Sequence, residues 1–309
     1  MIQPRRIAQV ALIAAIALLT SAAAQQTVLV EHAQGTTEVT LRPAKVFSFD
    51  YATIDTLTAL GIAIDGAPPL AGVGADRYDL SNAVVIGTLF EPDYEVIAAE
   101  RPDLIIVSSR AGPAYPQLSR LAPTIDLSFQ TDDFLGSLER NVRSIAAIFD
   151  IESEAQTHLD AIMAQVADLR EAVAEGGSGL VVMVGGGSLS ALGPAAGVAG
   201  RGSLLYETLG LVPPVADIEA ATHGEPISFE FLVQHDPSHL FVIDRDAAIG
   251  AEGGQPAAAV LDHPLLHGTT FWSQGNVTYL DPFDWYIVAG AGLASMQRML
   301  DQVAAAYAD

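Results

Sequence analysis

Glu95, Pro102 and Arg110 stand seven and eight positions apart, with the apolar run LIIVSS between the proline and the arginine, and Glu230, Pro237 and Arg245 repeat that spacing around LFVID. An arginine at the end of an apolar strand offers a planar fork of donors that pairs with oxyanions at two points. Arg201, in a glycine-flanked stretch, adds a third such group, and His223, Trp285 and Tyr286 stand at predicted loop edges beside them. Three guanidiniums meeting in one cleft would neutralise a ligand of about three negative charges, each close pair contributing roughly 4 kcal/mol before desolvation at an effective dielectric near 20. The chemistry is recognition of a large anion. A glutamate in a first helical turn also complements the helix dipole, and an arginine after a strand is often only solvated. The repeated spacing, rather than any single residue, carries the reading.

Other chemistry has weaker support. His235 and His239 are four apart, but Pro237 between them keeps them off one helical face. His263 and His267 are also four apart, with Pro264 acceptable in a first helical turn, and could form a metal pair. No carboxylate is placed to complete that set. Gly185, Gly186 and Gly187 follow a strand, yet the spacing is neither a dinucleotide fingerprint nor a P-loop with its lysine. Neither G-x-S-x-G nor H-E-x-x-H appears, so enzyme signals are missing and a binding role is expected.

The positioning elements read as two α/β lobes. Strands are predicted at 45–49, 84–86, 104–109 and 124–127, with helices at 50–60, 94–100 and 115–121 between them. This alternation implies a parallel sheet. A helix leading into a parallel strand begins at the edge where that strand ends. Glu95 with Arg110, and Glu230 with Arg245, are thereby expected on the carboxyl edge of each sheet, where open parallel sheets bind ligands. Residues 133–174 read as wholly helical, and 153–174 carry apolar residues at three- and four-residue spacing. The second lobe repeats the scheme with strands at 180–184, 240–244 and 277–280. Its helices are predicted at 203–209, with Ser203 as N-cap, then at 229–234 and 292–307. The expected organisation is a signal peptide at 1–24, lobes at 25–150 and 176–309, and a connecting helix at 151–175.

Composition narrows the setting. Arg5 and Arg6, an apolar run over 10–19 and small residues before Gln25 read as a signal peptide cleaved near Ala24. The apolar run is shorter than the roughly 20 residues that span a bilayer. With no cysteine, disulfide scaffolds, thiol catalysis and a lipid-modified N-terminal cysteine are all excluded. A net charge of −23 disfavours nucleic acid and anionic membranes as partners. Any anion site must therefore be local and built from arginines, because Lys45 is the single lysine.

At these residues the chain resembles the periplasmic binding proteins that serve iron–siderophore ABC importers, the class III type with a helical backbone between two Rossmann-like lobes. The similarity runs through FDYATIDTLTALGI (49–62), IGTLFEPDYEVIAAERPDLIIVSSR (86–110), LAPTIDL (121–127), HGEPISFEFL (223–232), FVIDRDAAIG (241–250) and LDPFDWYIVAGAGL (280–293). The segments around His223, Arg245 and Tyr286 resemble the branch that binds ferric catecholate siderophores. The resemblance implies that Arg110, Arg201 and Arg245 contact catecholate oxygens and that Trp285 lies in the pocket. It implies that His223 and Tyr286 complete the iron shell of a tetradentate siderophore. Glu95 and Glu230 would dock into arginine pockets of an inner-membrane permease. The expected ligand is an Fe(III)–siderophore complex with no resident cofactor, bound in the periplasm by a monomer. Haem, a cobalamin, or bare zinc or manganese held by His223, His263 and His267 remain alternatives, as does an exported metal-dependent hydrolase.

Overall fold

The computed structural model describes residues 26–70, 74, 76–130, 133–194, 201–218, 223–289 and 292–308. The predicted signal peptide at 1–24 lies outside them. Among the described residues no helix is long and apolar enough to cross a membrane.

A hairpin that the sequence reading did not foresee comes first. Strands β1 (Thr27–His32) and β2 (Gly35–Thr40) pair antiparallel, with His32 opposite Gly35. β3 (Val46–Ser48) then leads into α1 (Tyr51–Ala59), whose N-terminus is capped by Asp50 accepting from the Thr53 amide and hydroxyl, both at 2.9 Å. β4 (Gly66–Ala67), β5 (Val84–Val85), α2 (Tyr94–Glu100), β6 (Leu104–Val107), α3 (Tyr115–Leu118) and β7 (Thr124–Asp126) complete the first lobe. Its five strands run parallel in the order β5-β4-β3-β6-β7. Every residue of β6 is buried, as expected of a central strand covered on both faces.

The stretch expected to be wholly helical is two helices, α4 (Phe134–Phe149) and α5 (Glu152–Glu175). They separate at Asp150, whose φ of 59° turns the chain. α5 buries Leu159, Ile162, Val166, Leu169 and Val173 along one stripe and is about 36 Å long at 1.5 Å per residue.

The second lobe contains β8 (Gly179–Gly185), β9 (Ser188–Leu192), β10 (Glu225–Ile227), α6 (Phe229–His235), β11 (His239–Asp244), α7 (Arg245–Ile249), α8 (Ala257–Leu261), α9 (Thr270–Ser273), β12 (Val277–Leu280) and α10 (Leu293–Ala306). Its sheet runs β10-β9-β8-β11-β12. β8, β11 and β12 are parallel, whereas β9 and β10 are antiparallel additions that the sequence reading lacked. The reason is the glycine run. Gly186 and Gly187, at φ 58° and 73°, form the two-residue turn of the β8–β9 hairpin, since both positions need positive φ. Pro226 sits on the edge strand, where its missing amide breaks no internal ladder.

The repeated phrase takes one form in both lobes. Asp93 caps α2 by accepting the Val96 amide at 3.0 Å, and the helix ends at Arg101, φ 49°, before Pro102. Ser228 caps α6 by accepting the Phe231 amide at 3.3 Å, and that helix ends at Asp236, φ 34°, before Pro237. A left-handed residue followed by proline stops each helix and turns the chain into the next strand.

Alternate residues of β8 and β11 serve opposite faces of the second sheet. Val181, Met183, Phe241 and Ile243 pack with α5 and α10, while Leu180, Val182, Leu240 and Val242 pack with Leu232, Leu261 and Phe271. α10 also reaches the first lobe, where the Leu293 amide donates to Thr56 Oγ1 at 3.1 Å. Among the described residues, Leu204–Thr208 and Phe283–Val288 are π-helical. Ser203 does not cap the first of them: its backbone is already helical, φ −61°, and its side chain makes no capping hydrogen bond.

Candidate functional site

Arg245 follows β11 directly and opens α7, which Asp244 caps by accepting the Ala247 amide at 2.9 Å. The side chain folds over Gly185, where an added Cβ would lie 3.3 Å from Arg245 Cβ and Cδ. From there its Nε donates to the Tyr286 hydroxyl at 3.2 Å. Tyr286 is carried by the π-helical segment Phe283–Val288, a widened turn of a kind frequent at functional sites.

The Tyr286 ring also carries Arg201, whose guanidinium carbon lies 4.0 Å from the ring centroid in cation–π contact. Arg201 is only 5% exposed. Burial is the main influence holding its guanidinium below the usual arginine value. Arg110 and Arg245 push the same way and Tyr286 opposes them. Arg110 arrives from the other lobe, three residues after β6, and its NH1 donates to the Ile287 carbonyl at 3.1 Å, one residue beyond Tyr286. Guanidiniums from both lobes thus gather around one tyrosine.

His223 is exposed and belongs to the same cluster. Desolvation first, then the charges of Arg201 and Arg245, lower its pKa from the ordinary 6.5, which favours the neutral imidazole. Gly224 follows at φ 80°, where an added Cβ would lie 2.6 Å from the Ala191 carbonyl oxygen. Only glycine lets the chain pass so close to β9 immediately after the histidine.

Two residues facing this cluster escaped sequence reasoning. Asp50 and Tyr51, at the start of α1, both feel Arg110: burial raises their pKa values and the guanidinium works against the rise. The sole sequence signal was an acid before a helix, which reads as a cap.

Trp285 is a correction. Its side chain is 0% exposed, packs in the second-lobe core, and donates from Nε1 to Gln302 Oε1 at 2.8 Å. Tyr286 is also buried, at 7% exposed in the same core, but its ring and hydroxyl meet Arg201 and Arg245.

Glu95 and Glu230 are exposed in the first turns of α2 and α6. The Glu230 carboxyl is held below the usual range by its own backbone amide, then by Ser228 and more weakly by His263. The histidine pair forms no centre. His263 stacks on Phe229 with ring centroids 4.4 Å apart, and His267 Nε2 lies 2.8 Å from Asp262 Oδ1. Among the described residues no three His, Asp or Glu side chains are grouped to hold a metal ion.

A family model described as periplasmic binding protein matches residues 46–282. The petrobactin-binding protein YclQ of Bacillus subtilis is 34% identical over 276 residues, covering 86% of this chain and 83% of that protein. Among solved structures, a TroA-like periplasmic binding protein from Xylanimonas cellulosilytica aligns with a TM-score of 0.81 at 44% identity, covering 89% of this chain and 92% of that one. The periplasmic catecholate-siderophore binding protein VctP from Vibrio cholerae aligns with a TM-score of 0.82 at 28% identity, covering 91% and 100%.

Proposed function

Because the chain belongs to the periplasmic binding protein family, we propose that it captures a ferric siderophore of the catecholate type between its lobes and delivers it to an inner-membrane ABC importer. Two α/β lobes joined by a long helix are the class III architecture of that family. The named ligands of its relatives support the cargo: petrobactin for YclQ and a catecholate siderophore for VctP.

The observation that carries this reading is the gathering of Arg110, Arg201 and Arg245 around Tyr286 from two lobes. Like charges held together in the ligand-free protein repel, and a multiply charged anion relieves that repulsion. Catecholate oxygens coordinated to iron keep negative charge and accept forked guanidinium donors. The local cations matter because a net charge of −23 gives no long-range attraction for an anion. With a tetradentate siderophore, the His223 imidazole and the Tyr286 oxygen complete six-coordination of Fe(III), the hard ion favouring the oxygen. A hexadentate complex is already saturated, so both side chains then only line the cleft.

In this reading the protein is a binding protein rather than an enzyme and needs no resident cofactor. It is exported after cleavage near Ala24, works in the periplasm as a monomer, and presents Glu95 and Glu230 to arginine pockets of the permease. Calorimetric titration with ferric bis-catecholate, ferric tris-catecholate, haem and zinc tests the cargo. Both ferric catecholates are expected to bind at micromolar affinity or tighter, about −8 kcal/mol or more. Saturable binding of zinc or haem with none of the ferric catecholates would overturn the proposal.

A further inference from the structure

The turn that carries Tyr286 is anchored by a polar network outside the ligand-facing cluster. Arg298, on α10, grips both oxygens of Asp284, Nε to Oδ2 at 2.8 Å and NH2 to Oδ1 at 2.7 Å, and the same NH2 donates to Asp55 Oδ1 at 3.0 Å. Asp55 lies on α1, so one guanidinium joins the two lobes. The two carboxylates are 0% and 1% exposed, while Arg298 remains 35% exposed. Further donors surround them: the Tyr78 hydroxyl on Asp55 Oδ1 at 2.9 Å, the Ser295 amide on Asp55 Oδ2 at 2.8 Å, and Arg77 NH1 3.8 Å from Asp284 Oδ2. Gly292 makes room, because a Cβ there would lie 2.6 Å from Asp55 Oδ2. Asp281, which pairs with Arg77, starts the turn by accepting the Phe283 and Asp284 amides at 2.9 and 3.0 Å.

Tyr286 therefore sits between two inter-lobe ties, Arg298 to Asp55 acting two residues before it and Arg110 to Ile287 one residue after. We propose that Arg298 is a positioning residue for the ligand site: it holds the Phe283–Val288 turn against the first lobe so that Tyr286 presents its oxygen to Arg245 and its ring to Arg201. The inference rests on the ferric-catecholate reading of the cleft. Well-packed apolar groups serve stability as well as a buried ion network does. What they cannot supply is a directional grip on one residue of the turn. A forked guanidinium on both oxygens of Asp284 supplies that grip.

Arg298→Met alone takes Arg298 from two buried carboxylates, Asp284 keeping the longer pair to Arg77, and endangers folding. The decisive variant is D55N/D284N/R298M, which removes the charges together, with Arg298→Lys as a partial rescue that keeps the charge and loses the fork. Affinity for ferric bis-catecholate is measured in wild type, the triple variant, Tyr286→Phe and their combination. The triple variant is expected to lose tenfold or more and Arg298→Lys less. The combination is expected to lose clearly less than the product of the separate losses, because both act through one hydroxyl. Wild-type affinity in the triple variant, or fully multiplicative losses, overturns the inference. Failure of wild type to bind any ferric catecholate overturns the proposed function instead, and the clamp is then judged without ligand. The Tyr286 ring resonances are expected to shift and broaden in the triple variant, and unchanged resonances overturn the positioning role.

Discussion

Replacing Arg201 by methionine is expected to weaken capture of a ferric catecholate a hundredfold or more while leaving the ligand-free protein as stable as before, or more stable. The two effects have opposite signs because Arg201 is buried beside Arg110 and Arg245, so that burial and like-charge repulsion outweigh the opposing pull of Tyr286 and disfavour its cation before the ligand arrives. Methionine refills the space over Tyr286 with a flexible apolar chain and makes a favourable sulfur–aromatic contact. It also removes the repulsion from Arg110 and Arg245. In the complex the same change leaves catecholate oxygens without a charge-assisted donor. Such truncations cost about 2–5 kcal/mol, and about 3 kcal/mol is a hundredfold in affinity. Calorimetry gives the affinity, and a thermal melt without ligand gives the stability. A lowered melting temperature with unchanged affinity would make Arg201 a structural residue.

The second large effect separates siderophores by denticity. His223→Ala combined with Tyr286→Phe is expected to cost a tetradentate ferric complex about 3 kcal/mol or more, while a hexadentate complex loses less than about 1 kcal/mol. Phenylalanine is the informative replacement, because it deletes the oxygen and retains the ring 4.0 Å from Arg201. Equal losses for both complexes would remove direct ligation from the account. A pH series adds an independent reading. Protons compete with iron for the neutral imidazole, so affinity for the tetradentate complex is expected to fall as pH drops through the His223 titration. Burial and the two arginines hold that titration below 6.5, so the fall begins at lower pH than an unperturbed histidine would give. The hexadentate complex is expected to show no such dependence on His223.

The parts legible in the sequence were the locally encoded ones. Helix, left-handed residue, proline and buried strand are neighbours in the chain, so the repeat around Pro102 and Pro237 could be read before its caps at Asp93 and Ser228 were seen. The arginines at strand ends followed from the same logic, since strand direction alone sends them to one edge. Trp285 was misplaced because two adjacent aromatics carry no periodicity that tells inside from outside. The glycine run over 185–187 matches no phosphate-loop spacing, and its role as a hairpin turn shows only once its partner strand is placed. Ser203 looked like a cap, but the following turn is π-helical and already helical at Ser203. Least visible was the tie between Arg298 and Asp55, which are 243 positions apart. No local spacing rule reaches that far, and only the packing of α10 across α1 brings them together.

The most direct measurement is a crystal structure with ferric bis-catecholate bound, using anomalous scattering to locate the iron. The account predicts one iron peak between the lobes, within bonding distance of His223 and Tyr286, with catecholate oxygens on the guanidiniums of Arg110, Arg201 and Arg245. An iron site elsewhere on the protein, or those three arginines turned away from the ligand, would contradict it.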